Sequence, residues 1–236
     1  MAIVEIKDLK KRYGRGDAAV TALNGVSLTL EKGEFVSVMG PSGCGKSTLL
    51  HLMGGLDRFD AGEIVLDGEP LSGLTDDRIT ALRRRKVGFV FQYFNLIPVL
   101  SALDNVALPL VLDGRKPAEA KAVARTWLER LGLGDRLTHR PSELSGGQQQ
   151  RVAIARALSA EPALILADEP TGNLDSLMSD EVVSLLKTIA SEYDRTVLMV
   201  THDSRMAAYA DRIIFLKDGT VVDETRLERA VSAARA

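Results

Sequence analysis

Polar and apolar positions follow two different patterns along this chain. Near its start, residues 3–10 and 25–30 alternate between apolar and polar side chains, and residues 62–68 end in an Asp-Gly turn signal. Alternation with a period of two is typical of antiparallel strands that bury one face. This region therefore predicts a small lobe of antiparallel β structure.

Short continuous apolar runs lie further along, at residues 34–39, 87–91, 163–167 and 196–201. Such runs are typical of parallel strands buried on both faces. Helical patterns occur at residues 47–53, 76–84, 103–134 and 180–192, and Trp127 and Leu128 are expected to point inward. A hairpin is predicted within residues 213–222, and a polar, alanine-rich helix at residues 224–236. These patterns together predict an α/β fold.

A glycine-rich segment joins the run at residues 34–39 to the helix that follows. It fits the phosphate-loop pattern G-x-x-x-x-G-K-[ST] and consists of Gly40, Pro41, Ser42, Gly43, Cys44, Gly45, Lys46, Ser47 and Thr48. Its glycines allow amide N–H groups to approach phosphate oxygens closely, and the helix N-terminus adds partial positive charge. We expect Lys46 to reach the β- and γ-phosphates, Ser47 to ligate Mg²⁺ and Thr48 to contact phosphate. The alternative is a glycine-rich turn with a solvated lysine.

Two acidic residues, Asp168 and Glu169, end the run at residues 163–167. Carboxylates at the end of a buried strand are costly unless a cation or a substrate lies beside them. We therefore expect Asp168 to hold Mg²⁺, largely through water, and Glu169 to act as the general base that polarises an attacking water. The alternative is a pair of exposed acids in a turn.

Composition limits the remaining classes of function. Lys and Arg number 30 against 32 Asp and Glu, which gives a net charge of −2 and argues against a general nucleic-acid-binding protein. The single cysteine, Cys44, excludes an intramolecular disulfide and fits a reducing compartment. Its thiol is either a site where alkylation would block nucleotide binding or a small buried spacer. We expect neither a signal peptide nor a membrane span, so any membrane part of the system belongs to another chain.

A second motif lies between the phosphate loop and the Asp168-Glu169 strand. It reads Leu144-Ser145-Gly146-Gly147-Gln148, and in this position it resembles the signature of the ATP-binding cassette (ABC) ATPases. The resemblance covers nearly the whole chain. It implies a P-loop NTPase (RecA-like) core and β lobe at residues 1–91 and 159–223, a helical lobe at residues 92–158, and a terminal helix. It also implies a head-to-tail homodimer with two ATP molecules, in which the signature of one cassette faces the γ-phosphate bound by the other.

The resemblance assigns roles to further residues. Tyr13 resembles the aromatic residue that stacks on adenine, and Val20 would flank the same ring; the alternative for Tyr13 is packing on the sheet. Gln92 resembles the residue that contacts Mg²⁺ or water and senses the γ-phosphate. Asp175 lies in a segment like the loop that crosses to the partner cassette. His202 resembles the switch histidine that bonds the γ-phosphate, although a histidine at a strand end is often only structural.

Residues 88–98, 103–110 and 170–175 resemble the macrolide-exporter and lipoprotein-releasing group of cassettes. Members of that group work under membrane subunits, which implies a peripheral protein at the cytoplasmic face of a bacterial inner membrane. An apolar set next to Gln92 would then form a groove for the permease, and it consists of Phe94, Leu96, Ile97, Pro98 and Leu100. The alternative is that this set packs the helical lobe. Two other functions remain open: a cell-division cassette that signals through a membrane protein, and a cassette without a transport role.

Overall fold

The computed structural model describes residues 1–227. The strands are β1 (Ala2–Tyr13), β2 (Val20–Glu31), β3 (Phe35–Met39), β4 (Ala61–Leu66), β5 (Glu69–Pro70), β6 (Val87–Phe91), β7 (Leu164–Asp168), β8 (Thr196–Thr201), β9 (Arg212–Lys217) and β10 (Thr220–Arg226). The helices are α1 (Lys46–Met53), α2 (Asp76–Lys86), α3 (Ala102–Leu112), α4 (Pro117–Arg130), α5 (Gly146–Leu158), α6 (Ser176–Glu192) and α7 (Ser204–Ala207). The predicted strands and helices occur at or near their expected positions, with the exception at the C-terminal end described below.

Within residues 1–227 the strands form two sheets. The first is antiparallel, in the order β2-β1-β4-β5, and Ile6 lies opposite both Leu28 and Ile64. These three side chains are buried, so the alternating pattern places one apolar face of the sheet against the core. The predicted β lobe is confirmed, and its first two strands are longer than the pattern indicated.

The second sheet has the order β10-β9-β3-β8-β7-β6, with β10 antiparallel and the other strands parallel. Met39 lies opposite Thr201, and Asp168 lies opposite both Val200 and Phe91. The carboxyl ends of these strands therefore meet at one edge of the sheet. The phosphate loop, the acidic pair and the predicted switch histidine all follow strands that end there.

This sheet separates two buried apolar clusters. In β7, Leu164 and Leu166 belong to the cluster beneath the β lobe and α1, whereas Ile165 and Ala167 belong to the cluster shared with α3–α6. Because both faces of β7 are buried, its residues form the continuously apolar run at residues 163–167. Trp127 of α4 is packed into the second cluster, as its helical pattern predicted.

The prediction of a helix from residue 224 is wrong for residues 224–226. These residues extend β10, where Glu224 lies opposite Ile214 and Arg226 lies opposite Arg212. Pairing with β9 overrides the helical preference of the polar segment, and a 3.0 Å ion pair between Glu224 Oε1 and Arg212 Nη1 adds to it. The rest of the predicted helix, residues 228–236, lies outside the described residues. None of the helices within residues 1–227 is long and apolar enough to cross a membrane.

Candidate nucleotide site

A cavity of about 490 Å³ opens at the carboxyl edge of the parallel strands. It is lined by Tyr13, Val20, Ala22, Ser42, Gly43, Gly45, Lys46, Ser47, Thr48, Gln92, Glu169 and His202. With the exception of Ala22, each of these was a predicted site residue. The fold thus brings side chains that are distant in the sequence into one site.

The phosphate loop is held in shape by close backbone contacts. Gly45 immediately precedes α1 with φ of 104°, and a Cβ there would lie 2.3 Å from the carbonyl oxygen of Ala22. Lys46 is buried, and its Nζ donates hydrogen bonds of 2.8 and 3.0 Å to the carbonyl oxygens of Gly40 and Pro41. Neutral carbonyls do not neutralise a buried ammonium group, whereas phosphate oxygens would.

Three predicted loop residues do not line the cavity. Of Gly40, Pro41 and Cys44, only Cys44 is buried, and its carbonyl oxygen accepts a 3.1 Å bond from the amide of Gly219. This position favours the buried-spacer interpretation of Cys44 over that of a reactive thiol.

Asp168 extends from the end of β7 toward the start of α1. Its Oδ1 accepts a 2.9 Å hydrogen bond from Ser47 Oγ, and its Oδ2 lies 3.8 Å from His51 Nε2. A hydroxyl and a carboxylate oxygen beside a phosphate loop are ligands that Mg²⁺ prefers, because this ion takes one or two protein oxygens and completes its shell with water and phosphate. The residues present therefore fit the predicted magnesium site, whose third member, Gln92, lines the same cavity.

Glu169 and His202 contact each other directly. Glu169 Oε2 lies 3.0 Å from His202 Nδ1, and the Glu169 side chain is mostly buried while that of His202 is exposed. Glu169 also adopts a positive φ of 46°, which is uncommon for a residue with a side chain. Its amide nitrogen donates a 3.0 Å bond to Val200 O, which holds this backbone in place. The predicted base and the predicted switch histidine therefore form one unit.

Tyr13 lies at the opposite end of the cavity and is supported by two residues that the sequence did not reveal. Its hydroxyl donates a 2.7 Å hydrogen bond to Asp57 Oδ2, and Lys11 Nζ lies 4.8 Å from its ring centroid. Burial and the bond to Asp57 raise the pKa of Tyr13. Burial by itself raises the pKa of Asp57. Hydrogen bonds from Tyr13, the Arg58 amide and Lys11 outweigh this, and the pKa of Asp57 is lowered. These contacts orient the ring. Lys11 lies two positions before Tyr13 on the same strand, whereas Asp57 is 44 residues away and no local motif could have indicated it.

Gln92 follows β6 and is connected to the loop after Glu169. Asn173 Nδ2 donates a 3.0 Å bond to the carbonyl oxygen of Gln92, and a Cβ on Gly172 would lie 2.6 Å from Gln92 Nε2. From α5, Gln150 Nε2 donates to Pro170 O at 2.6 Å. Hydrogen bonds and close packing therefore connect the end of β6, the loop after β7 and the signature helix.

Arg156 provides a second connection from α5. Its guanidinium donates to the carbonyl oxygens of Phe94 and Asn95 at 2.9 and 2.5 Å, and both of these residues have positive φ. Burial lowers the pKa of Arg156. Because the bonds satisfy an unusual backbone segment, Arg156 connects the signature helix to the residues that follow Gln92.

The signature residues lie outside the cavity. Ser145 caps α5, since its Oγ accepts a 3.3 Å bond from the Gln148 amide while Gln148 Oε1 accepts a 3.0 Å bond from the Ser145 amide. Gly146 and Gly147 form the first turn, and a Cβ on Gly147 would lie 2.7 Å from Met178 Sδ. Asp175 caps the neighbouring helix α6 through a 2.9 Å bond to the Met178 amide. Neither cap contributes to the cavity lining.

The apolar segment after Gln92 is only partly available to a partner. Ile97 and Pro98 are exposed, whereas Phe94, Leu96 and Leu100 are half-buried, and Leu96 packs against the helical cluster. Val99, within the predicted contact segment of residues 94–100, and Tyr93, just before that segment, are each 74% exposed. Beside this segment lies a groove of about 360 Å³, referred to below as the β6 groove. It is lined by Leu56, Arg83, Arg84, Val87, Gly88, Phe89, Phe91, Asn95, Pro109, Arg156, Ala157 and Ala160.

Known proteins resemble this chain over nearly all its length. The lipoprotein-releasing system ATP-binding protein LolD of Geobacter metallireducens is 48% identical over 94% of this chain and 98% of its own length. The macrolide export ATP-binding/permease protein MacB of Hyphomonas neptunium is 46% identical over 98% of this chain but only 36% of its own length.

A solved structure has the same fold. The dimeric post-hydrolysis state of the cassette MJ0796 bound to ADP and Pi matches with a TM-score of 0.87 and 46% identity, over 96% of this chain and 99% of that one. MJ0796 is a protein of Methanocaldococcus jannaschii. The family model described as ABC transporter matches residues 23–172, which is more than half of the sequence. The chain therefore belongs to the ABC transporter family.

Proposed function

We propose that this chain is the ATP-binding and hydrolysing subunit of a transporter, and that it drives a separate membrane permease for export or lipoprotein release. The observation that carries this proposal is the single cavity that combines a phosphate loop with the Glu169–His202 pair. A nucleotide site alone would need only the loop. A base placed beside it is what hydrolysis requires.

ATP fits the cavity in one orientation. The phosphates lie in the loop, where backbone amides and Lys46 neutralise their charge. The adenine ring lies at the Tyr13 end of the cavity, beside Val20. Ser47, Asp168 and Gln92 would hold Mg²⁺, which when bound supplies positive charge to the phosphate oxygens.

The proposed hydrolysis follows from the geometry of Glu169 and His202. Glu169 accepts a proton from the attacking water while the water oxygen bonds to the γ-phosphorus and the bond from that phosphorus to ADP breaks. The bond from the Glu169 amide to Val200 O holds this residue at the edge of the cavity. His202 Nδ1 lies 3.0 Å from this carboxylate, and the ring lines the cavity itself, where a ring N–H can donate to a γ-phosphate oxygen. ADP and phosphate in the MJ0796 structure support the same chemistry.

A head-to-tail dimer gives the signature a role. Ser145, Gly146, Gly147 and Gln148 form a helix N-terminus, which favours an anion, yet they do not line the cavity of their own chain. In a dimer of two copies, each signature would close over the ATP held by the other, with Asp175 near the crossing. The dimeric state of MJ0796 supports this arrangement.

The membrane partner would bind in the β6 groove and on the exposed apolar side chains after Gln92. Docking there would transmit the closure of the site, because Arg156 joins the signature helix to this segment and Gln150 joins the same helix to the loop after Glu169. The name of LolD, and the permease in the name of the longer MacB, support a transport role at a membrane. The chain would then be peripheral, at the cytoplasmic face of a bacterial inner membrane.

The test is Glu169→Gln, which removes the base but preserves the size and polarity of the side chain. ATP hydrolysis by the purified protein should fall by about 10²–10⁴-fold while ATP binding persists and dimers accumulate in size-exclusion chromatography. Glu192→Gln, on an exposed residue at the end of α6, is the matched control and should hydrolyse ATP normally. Hydrolysis at the wild-type rate by the Glu169 variant would refute the assignment of the base.

A further inference from the structure

A strongly basic pocket lies at the edge of the parallel sheet opposite the nucleotide site. It has a volume of about 410 Å³ and is formed by the end of α2, the end of α3 and the segments that precede β7 and β8. We call it the basic pocket, and its charged residues are Arg84, Arg85, Lys86, Arg115, Arg195, Asp113 and Glu161. Five cations face two carboxylates in a chain whose net charge is −2.

The positive charge of this pocket is only partly neutralised within the described residues. Lys86 Nζ forms a 2.5 Å ion pair with Asp67, which is not part of the pocket lining. Arg84 and Arg85 share one carboxylate, that of Asp113, at 3.3 and 3.4 Å. No described residue forms an ion pair with the exposed side chain of Arg115. Arg195 donates a 3.4 Å bond to the Glu161 carbonyl oxygen, but its buried Nε has no partner among the described residues. A cluster of guanidinium groups that includes one buried donor without a partner favours an anionic ligand.

The basic pocket is continuous with the β6 groove. Arg84, Pro109 and Ala160 line both. The groove follows the edge strand β6 from this pocket toward Asn95, so the pocket lies at one end of the groove and Gln92 lies near the other. Five strand residues span about 13 Å, which is the length of roughly nine helical residues.

We propose that the basic pocket binds carboxylate side chains at one end of the permease segment that occupies the β6 groove. This inference rests on the proposed function and specifies the chemistry of the partner. A carboxylate can accept two parallel bonds from an arginine, and Arg84 and Arg85 keep donors that Asp113 does not use. The arginines face a cleft that opens onto an apolar groove, a shape that suits a protein segment with an acidic end better than a flat membrane surface.

Zero-length cross-linking of the native complex tests the contact. The tagged chain is purified with its membrane partner, and carbodiimide then joins amines to carboxylates that touch them. In an Arg115→Lys variant, the introduced amine should couple to an Asp or Glu of the permease, identified by mass spectrometry. Arg226→Lys is the matched control, because Arg226 is also exposed and lies on β10 at the other edge of the sheet. That control should give no such product.

Charge reversal tests the energetics. Arg115→Glu should raise the permease concentration needed for half-maximal stimulation of ATP hydrolysis about threefold to tenfold at low salt, and less at high salt. Hydrolysis by the isolated chain should not change, since Arg115 lies outside the nucleotide cavity.

The outcomes of these experiments distinguish failure of this inference from failure of the proposed transport function. Recovery of the permease, but with cross-links only to carboxylates of the same chain or with none, overturns the inference and leaves the transport role intact. So does an Arg115→Glu variant that loses binding to phosphatidylglycerol vesicles but responds normally to the permease, because the ligand is then a lipid headgroup. Recovery of no membrane protein from well-solubilised membranes overturns both proposals.

Discussion

Alanine substitutions at two glycines of the phosphate loop should have very different costs. A Cβ on Gly40 would lie 2.1 Å from the carbonyl oxygen of Leu216 and 2.7 Å from Cys44 Sγ. Gly43 has a positive φ of 78°, but a Cβ there would meet no atom within 4 Å. Gly40→Ala therefore tests whether the neighbouring backbone excludes a side chain, and Gly43→Ala tests only whether alanine tolerates the positive φ.

The magnitudes follow from these distances. Carbon and oxygen atoms pack at about 3.5 Å, so Gly40→Ala must move the loop or the end of β9 by more than about 1 Å, at a cost of about 3 kcal/mol. Gly43→Ala needs only a left-handed alanine, which costs about 1 kcal/mol. For a chain of this size, each kcal/mol lowers the melting temperature by about 2–4 °C. We expect decreases of about 6–12 °C for Gly40→Ala and about 2–4 °C for Gly43→Ala.

Thermal unfolding followed by circular dichroism measures both values, and titration calorimetry below the melting temperature measures ATP affinity. Gly40→Ala should also weaken ATP binding, because Gly40 O accepts a bond from Lys46 and a displaced loop moves that ammonium group. If Gly43→Ala is as destabilising as Gly40→Ala, contact with Leu216 does not determine the shape of the loop.

Three further changes have defined outcomes. In titration calorimetry, Tyr13→Ala should weaken ATP binding about tenfold, whereas Tyr13→Phe should have a smaller effect because it loses only the bond to Asp57; equal losses would exclude stacking. Hydrogen bonding to Lys121 and Ser101 lowers the pKa of Asp104, so its carboxylate stabilises the fold above the unfolded-state pKa, and this contribution disappears as the pH falls through the lower folded-state value. Asp104→Asn should therefore lower the free energy of unfolding by about 0.5 kcal/mol in urea unfolding at neutral pH and by almost nothing in acid. The value is small because the side chains of Asp104 and Lys121 are both over a third exposed. Ser145→Ala should lower the free energy of unfolding by about 1 kcal/mol through the lost cap and prevent ATP-driven dimers in gel filtration, while ATP affinity of the single chain stays the same.

Features that depend on neighbouring residues were predictable from the sequence. The phosphate loop is one contiguous segment whose glycines, lysine and serine are proposed to bind a single ligand, and the spacing of these residues is itself the recognisable pattern. Strand and helix periods also reflect local geometry, which explains why Trp127 was correctly placed in the core.

Features that depend on pairing between distant segments were not predictable in this way. Residues 224–226 are polar and lie in an alanine-rich segment, yet they continue β10 because β9 offers them a partner strand. Local preference is worth only tenths of a kcal/mol per residue, and strand pairing exceeds it.

The sequence by itself therefore indicated where the phosphate loop, the acidic pair and the signature lie, because each is a short motif, and it predicted the α/β class through the succession of strand and helix patterns along the chain. Only the tertiary structure decided that Glu169 contacts His202, that Asp57 holds Tyr13, and that the signature lies outside the cavity of its own chain. It also gathered the arginines of the basic pocket from three separate segments. The physical reason is that these contacts form only after strand pairing and helix packing bring distant segments of the chain together, and no local pattern encodes that arrangement.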